Sequence, residues 1–163
     1  MFKKLMLVGA LVSFAFSPSF AKNLAVPAKN PVATIVFPDT WKAEEIEFGW
    51  SAKSPDGNVF FSVESASGSR VDKLFATNDE WMKENKIKPK GKAVEKDVEF
   101  GGLKAKLYAY QATDEDGDTV IDFVVIPAGP GRVILLTQWA SDEEQKANAA
   151  DLDKIANSIK AIN

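Results

Sequence analysis

Asp114, Asp116 and Asp118 stand at alternate positions in the run DEDGDT, the spacing of the first three ligands of a calcium loop. The pattern then departs from that chemistry. The sixth position is Thr119, where glycine must turn the chain, and the twelfth is Val125, where a bidentate glutamate would complete the coordination sphere. An Asp-Gly pair between two β-rich runs reads instead as a solvated hairpin turn. The 163 residues include no histidine and no cysteine, which removes the usual ligands of zinc, copper, haem and iron–sulfur sites. Ser-His-Asp and Cys-His catalysis go with them, since both need an imidazole. Carboxylate, lysine, serine or tyrosine chemistry remains. However, none of the 23 acidic residues is singled out as half of a glycosidase pair, and residues 22–163 hold no Ser-x-x-Lys. The reading is therefore of a non-enzyme with no catalytic residue, no metal and no cofactor.

Binding chemistry is better represented. Lys83, Lys86, Lys88, Lys90, Lys92 and Lys96 form a basic cluster, partly balanced by Glu84 and Glu95. Such a cluster is either a solvated face or a docking patch for an acidic partner or for anionic lipid headgroups. Of the four tryptophans, Trp41, Trp50 and Trp139 sit in strand patterns, with Trp50 read as sharing a face with Phe48 and Ala52. Trp81 stands beside a helical stripe rather than on it, which makes it the candidate for a contact surface. The loop AGPGR, 128–132, lacks the spacing and the lysine of a phosphate-cradling loop and reads as a hairpin turn. Ser67, Gly68, Ser69 and Arg70 precede a helix. Capping by Ser69 accounts for them more simply than a bound anion does.

These residues must be positioned by strands and helices whose periods are visible in the chain. Thr34 to Phe37 is β-rich and stops at Pro38-Asp39. Phe48, Trp50 and Ala52 alternate up to the turn SPDG at 54–57, and Val59, Phe61 and Val63 alternate after it, completing a hairpin. A helix is expected over about 71–86, with Val71, Leu74, Phe75, Asn78 and Met82 on one stripe. Strands follow over 94–100, 103–112, 119–126 and 132–139. Val133 to Leu136 is continuously apolar, as in a central strand covered on both faces. Ser141, with Glu144 three residues later, opens a last helix whose buried stripe is Leu152, Ile155, Ala156 and Ile159. The order of strands, helix, strands, helix defines an α+β domain, an antiparallel sheet carrying helices.

The first residues, MFKKLMLVGALVSFAFSPSFA, read as an export signal. Lys3 and Lys4 form the basic region, Leu5 to Phe16 the apolar one, and Ser19 and Ala21 the small residues before cleavage. Twelve apolar residues span only about 18 Å of helix, against roughly 30 Å of hydrocarbon. The expected division is a signal peptide over 1–21, a Pro-containing linker over 22–32 and a single domain over 33–163. Cleavage after Ala21 would leave a periplasmic or secreted protein without a membrane span. Without Lys3 and Lys4 the net charge moves from −3 to about −5, which argues against nucleic acid as a partner.

An apolar strand running into FPDTW at 37–41, the SPDG turn, a helix ending in WMKEN at 81–85 and a closing IANSIKAI at 155–162 together resemble the PsbP and Mog-type fold family. That family includes extrinsic subunits of photosystem II, a Ran-binding nuclear factor and small exported bacterial proteins. The resemblance implies an α/β/α sandwich with a central antiparallel sheet flanked by helices, and a docking or accessory role. The histidines with which photosynthetic members bind metal have no counterpart here, so that property is not implied. The function read from the chain is an exported non-enzymatic accessory domain that binds a protein partner in the envelope or periplasm. A small-ligand carrier with a pocket between sheet and helices is the first alternative. A carboxylate- or lysine-based hydrolase is the second.

Overall fold

The computed structural model describes residues 21–162, so the export-signal reading falls almost wholly outside the described residues. The chain opens with β1 (Lys22–Val26) and β2 (Ala33–Phe37), an antiparallel pair with Val26 opposite Ala33. This corrects the expectation of a linker over 22–32. Val26 is wholly buried and the backbone of Lys22–Val26 is paired, whereas Pro27 and Pro31 lie in the loop that follows. Prolines beside a strand do not break it when the ladder bonds lie on the other side of them.

The main sheet is built from β3 (Lys42–Ile46), β4 (Gly49–Lys53), β5 (Phe60–Ser67), β6 (Lys88–Pro89), β7 (Val94–Phe100), β8 (Leu103–Thr113), β9 (Asp118–Pro127) and β10 (Arg132–Ala140). The spatial order is β3-β4-β5-β10-β9-β8, with β6 and β7 both pairing with β8, and every pairing is antiparallel. Strand β10 is central, as its apolar run predicts. Ile134 and Leu136 enter the core on one face, and Leu135 enters the core on the other.

Helix α1 (Arg70–Glu84) lies across one face of this sheet. The opposite face is covered by α2 (Asp142–Ala147), α3 (Ala149–Asn157) and a second small sheet, in which β11 (Lys160–Ala161) and β1 flank β2. The α+β class and the mostly antiparallel sheet stand as expected. The three-stranded sheet in the second outer layer is an addition. The capping box forms: Ser141 Oγ accepts from Glu144 N at 3.3 Å, and Ser141 N donates to Glu144 Oε2 at 2.8 Å. The single last helix expected from the pattern is divided at Asn148. Ile159 is buried beyond the end of α3 rather than on its stripe.

Candidate functional site

Helix α1 is narrower than the sheet face it covers. Leu74 packs with Phe48, Ala66 and Leu135 over β5 and β10, and the faces of β8 and β9 beyond are left partly open. Tyr108 and Tyr110 on β8, and Phe123 and Val125 on β9, point to that open face because residues two apart on a strand share a side. Phe75, Asp79 and Met82 of α1 and Pro89 of β6 complete a groove of about 420 Å³. That volume lies within the range of roughly 300–1,000 Å³ common to small-molecule sites. Tyr110 and Phe123 meet edge to face, with ring centroids 6.2 Å apart. Phe75 was expected on the buried stripe, yet it is 40% exposed at the groove wall.

Beneath α1 runs a buried polar network. Asn78 Nδ2 donates to Glu64 Oε1 at 3.2 Å and to the Leu74 carbonyl at 3.1 Å, and Thr137 Oγ1 donates to Asn78 Oδ1 at 3.3 Å. Ser62 Oγ donates to the same Glu64 oxygen at 3.2 Å. Burial raises the Glu64 carboxyl above its ordinary value, opposed by the hydrogen bonds from Asn78 and Ser62. Asn78 also lines a second hollow of about 170 Å³ on the other flank of α1, together with Glu64 and Trp81.

A second carboxylate, half-buried, lies on the opposite sheet face. Asp122 borders a cavity of about 110 Å³ with Phe61, Phe100, Leu107 and Gln138, and its Oδ1 has no protein hydrogen-bond partner. Its pKa is pushed up to about 6, first by burial and then by the Asp142 carboxylate, with Lys96 opposing. The chain pattern pointed to neither carboxylate. A signal was present in FSVESAS, where Glu64 interrupts a β-rich run, and in LYAYQ, where two tyrosines recur at strand spacing.

The acidic turn is closed by its own backbone and braced from outside by Trp139, Lys86 and Lys90. Asp114 Oδ1 accepts from Asp116 N at 2.9 Å and Gly117 N at 3.2 Å, and Oδ2 accepts from Trp139 Nε1 at 3.0 Å. That is the bonding of a hairpin turn that also anchors a tryptophan. Among the described residues no three acidic groups converge to hold a metal ion.

All six lysines of the basic cluster are exposed. They do not share one surface. Lys86 pairs with Glu115 and Lys90 with Asp118, turning both toward the acidic hairpin, while Lys96 faces Asp122 on the other side of the sheet. Trp81 is half-buried, stacked on Phe60 at 4.5 Å and edge-on to Trp139 at 5.7 Å. Trp41 is buried, with Nε1 donating to Asp151 Oδ2 at 3.2 Å. Trp50 does not share a face with Phe48. Phe48 lies in the β3–β4 turn and packs under α1, whereas Trp50 packs on the opposite core and donates to the Ala25 carbonyl. Ser69 occupies the N-cap position but its side chain makes no cap bond, so the capping expected of it is absent. Arg70 is drawn instead toward Glu47 at 3.6 Å and lies 4.8 Å from the Phe48 ring centroid.

The layers and the sheet order are those of a PsbP-like α+β fold. No protein-family model matches the chain, and no curated protein matches it in sequence. Solved structures do. The cyanobacterial PsbP protein CyanoP from Synechocystis superposes with a TM-score of 0.55 at 11% identity, covering 97% of this chain and 99% of that one. LpqN of Mycobacterium tuberculosis, described as involved in cell envelope biogenesis, gives 0.53 at 15% identity, covering 90% and 100%. A protein from Bacteroides thetaiotaomicron gives 0.57 at 12% identity. It covers 88% of this chain, which spans about half of that longer protein (49%). These likenesses carry the fold. No helix among the described residues is long and apolar enough to cross a membrane.

Proposed function

We propose that this is an exported, non-enzymatic accessory protein that works by binding, with the groove between α1 and strands β8 and β9 as its site. One observation carries the reading. Phe75, Tyr108, Tyr110 and Phe123 are all left partly exposed on one concave surface of about 420 Å³. An occupant covering those rings gains roughly 25 cal/mol for each Å² of apolar surface removed from water. The groove lies between sheet and helix, where a small-ligand carrier needs its pocket. Docking through the lysine cluster draws less support, because Lys86 and Lys90 are engaged by the acidic hairpin and Lys96 faces elsewhere. The export-type leader and the likeness to a PsbP protein and to an envelope-biogenesis protein agree with an accessory role in the periplasm or outside the cell.

The test is native mass spectrometry of protein purified gently from its own envelope fraction. The expected result is a non-covalent small-molecule adduct on the wild type, lost in the double variant Tyr110→Ala, Phe123→Ala with its circular dichroism unchanged. Absence of any adduct, together with no binding of the neutral fluorophore N-phenyl-1-naphthylamine, would overturn the reading.

A further inference from the structure

The groove that we assign as the binding site has a one-sided polar chemistry. Asp79 is the one charged side chain among its lining residues. Asn78 has spent both amide hydrogens inward, on Glu64 and on the Leu74 carbonyl, and its Oδ1 accepts from Thr137, so its side chain offers the groove no donor. The Tyr108 and Tyr110 hydroxyls donate or accept. Phe75, Phe123 and the two tyrosines contribute ring faces that carry partial negative charge. The rim carries charges of both signs. Glu95 is directly opposite Tyr108 across the β7–β8 ladder and so projects from the same sheet face. Lys106, two residues before Tyr108 on that face, is held by Asp97 at 3.6 Å. Of the lysines flanking Pro89, Lys90 is paired with Asp118, and Lys88 is exposed and is not part of the lining. Lys83, one turn beyond Asp79, is exposed and is not part of the lining.

A site rich in acceptors and ring faces, with no fixed cationic donor, repels anions and rewards positive charge. From this we infer that the groove selects a hydrophobic organic cation: a small molecule with an apolar or aromatic body and an ammonium group. The body lies against Phe123, Val125 and Met82. The ammonium is held by Asp79 and by the faces of the tyrosines. This deepens the binding reading above and rests on it.

The experiment uses three fluorescent probes that share a dansyl body and differ only at the end of a five- or six-carbon tail. They are dansylcadaverine with its ammonium, the N-acetylated amide, and the hexanoic acid. Dissociation constants are measured on the purified wild-type protein and on Asp79→Asn and Phe123→Ala variants, each checked for unchanged circular dichroism. The ammonium probe should bind about tenfold more tightly than the amide, and the carboxylate most weakly. Asp79→Asn should bring ammonium and amide within about threefold of each other while leaving the amide unchanged, and Phe123→Ala should weaken all three. Equal affinity for the three probes would overturn the charge selection and leave the groove as an apolar site. An ammonium preference that survives both substitutions would place the cation elsewhere and also overturn it. If no probe binds, both the selection and the binding reading fail.

Discussion

Asn78 on α1 donates its side-chain amide to Glu64 on β5 at 3.2 Å, both residues less than 8% exposed, and this bond ties the helix to the sheet beside the proposed groove. Thr137, directly across the β5–β10 ladder from Ser62, closes the network from the other strand. Each member satisfies another, so removing one leaves a buried polar atom unpaired.

Asn78→Ala should therefore lower stability by about 2–3 kcal/mol, combining a lost buried hydrogen bond with the desolvation of Glu64 and Thr137. Glu64→Gln, which removes the buried charge but retains an acceptor, should cost less. Asn78→Ala should also push the Glu64 carboxyl still higher, because a bond that opposed the effect of burial is gone. Urea melts and carboxyl-resolved NMR titrations check both. Equal losses from the two substitutions would contradict the account.

Asp122 gives a pH dependence of definite sign. Its carboxyl titrates near 6 in the fold against an ordinary 3.8, so between those values the folded state holds more protons than the unfolded one. Stability from this group is then fully present below about pH 4 and is lost as pH rises through 6. Asp122→Asn should flatten the stability profile over that window and raise stability at pH 7 by about 1–2 kcal/mol, a figure discounted for the partial exposure of the side chain. Thermal melts from pH 4 to 8 provide the measurement. A wild-type profile that rises across the window in parallel with the variant's would refute it.

Gly101 and Gly102 look equivalent in the chain and are not. Both have positive φ, +55° and +81°, but a Cβ on Gly101 would come 2.1 Å from the Ile159 carbonyl oxygen, while one on Gly102 meets nothing within 4 Å. Gly102→Ala should cost about 1 kcal/mol from backbone conformation alone. Gly101→Ala should cost at least about 3 kcal/mol, since the β7–β8 turn must part from the backbone of Ile159, just beyond α3. Similar urea midpoints for the two variants would remove the argument.

The two serine N-caps offer a matched comparison. Ser141→Ala should destabilise by about 1 kcal/mol, because its hydroxyl accepts from Glu144 N. Ser69→Ala should change stability by less than about 0.5 kcal/mol, because no cap bond is there to lose. Differential scanning calorimetry of both variants separates them.

The strands from 94 onward, the helix near 71–86 and the Ser141 capping box were legible because their signals are local. A period of two or of 3.6 and a turn dipeptide need no knowledge of a partner. Lys22–Val26 reads as linker because Pro27 and Pro31 follow it closely, whereas what makes it a strand is its pairing with β2, a partner that no local pattern reveals. Phe48 and Trp50 were assigned one face by alternation, but the β3–β4 turn between Ile46 and Gly49 resets the parity.

By itself the chain determined the α+β class, most strand and helix positions, and the absence of histidine and cysteine chemistry, since each follows from residue type or short-range period. Tertiary structure alone decided which side chains meet: that Asn78 spends its donors on Glu64, that Lys86 and Lys90 turn to the acidic hairpin, and that Tyr108, Tyr110, Phe75 and Phe123 line one groove. The reason is geometric. Those residues lie on different strands and a crossing helix, and only the order in which antiparallel strands pair, with a helix too narrow for the sheet beneath it, brings them to the same side and leaves them uncovered.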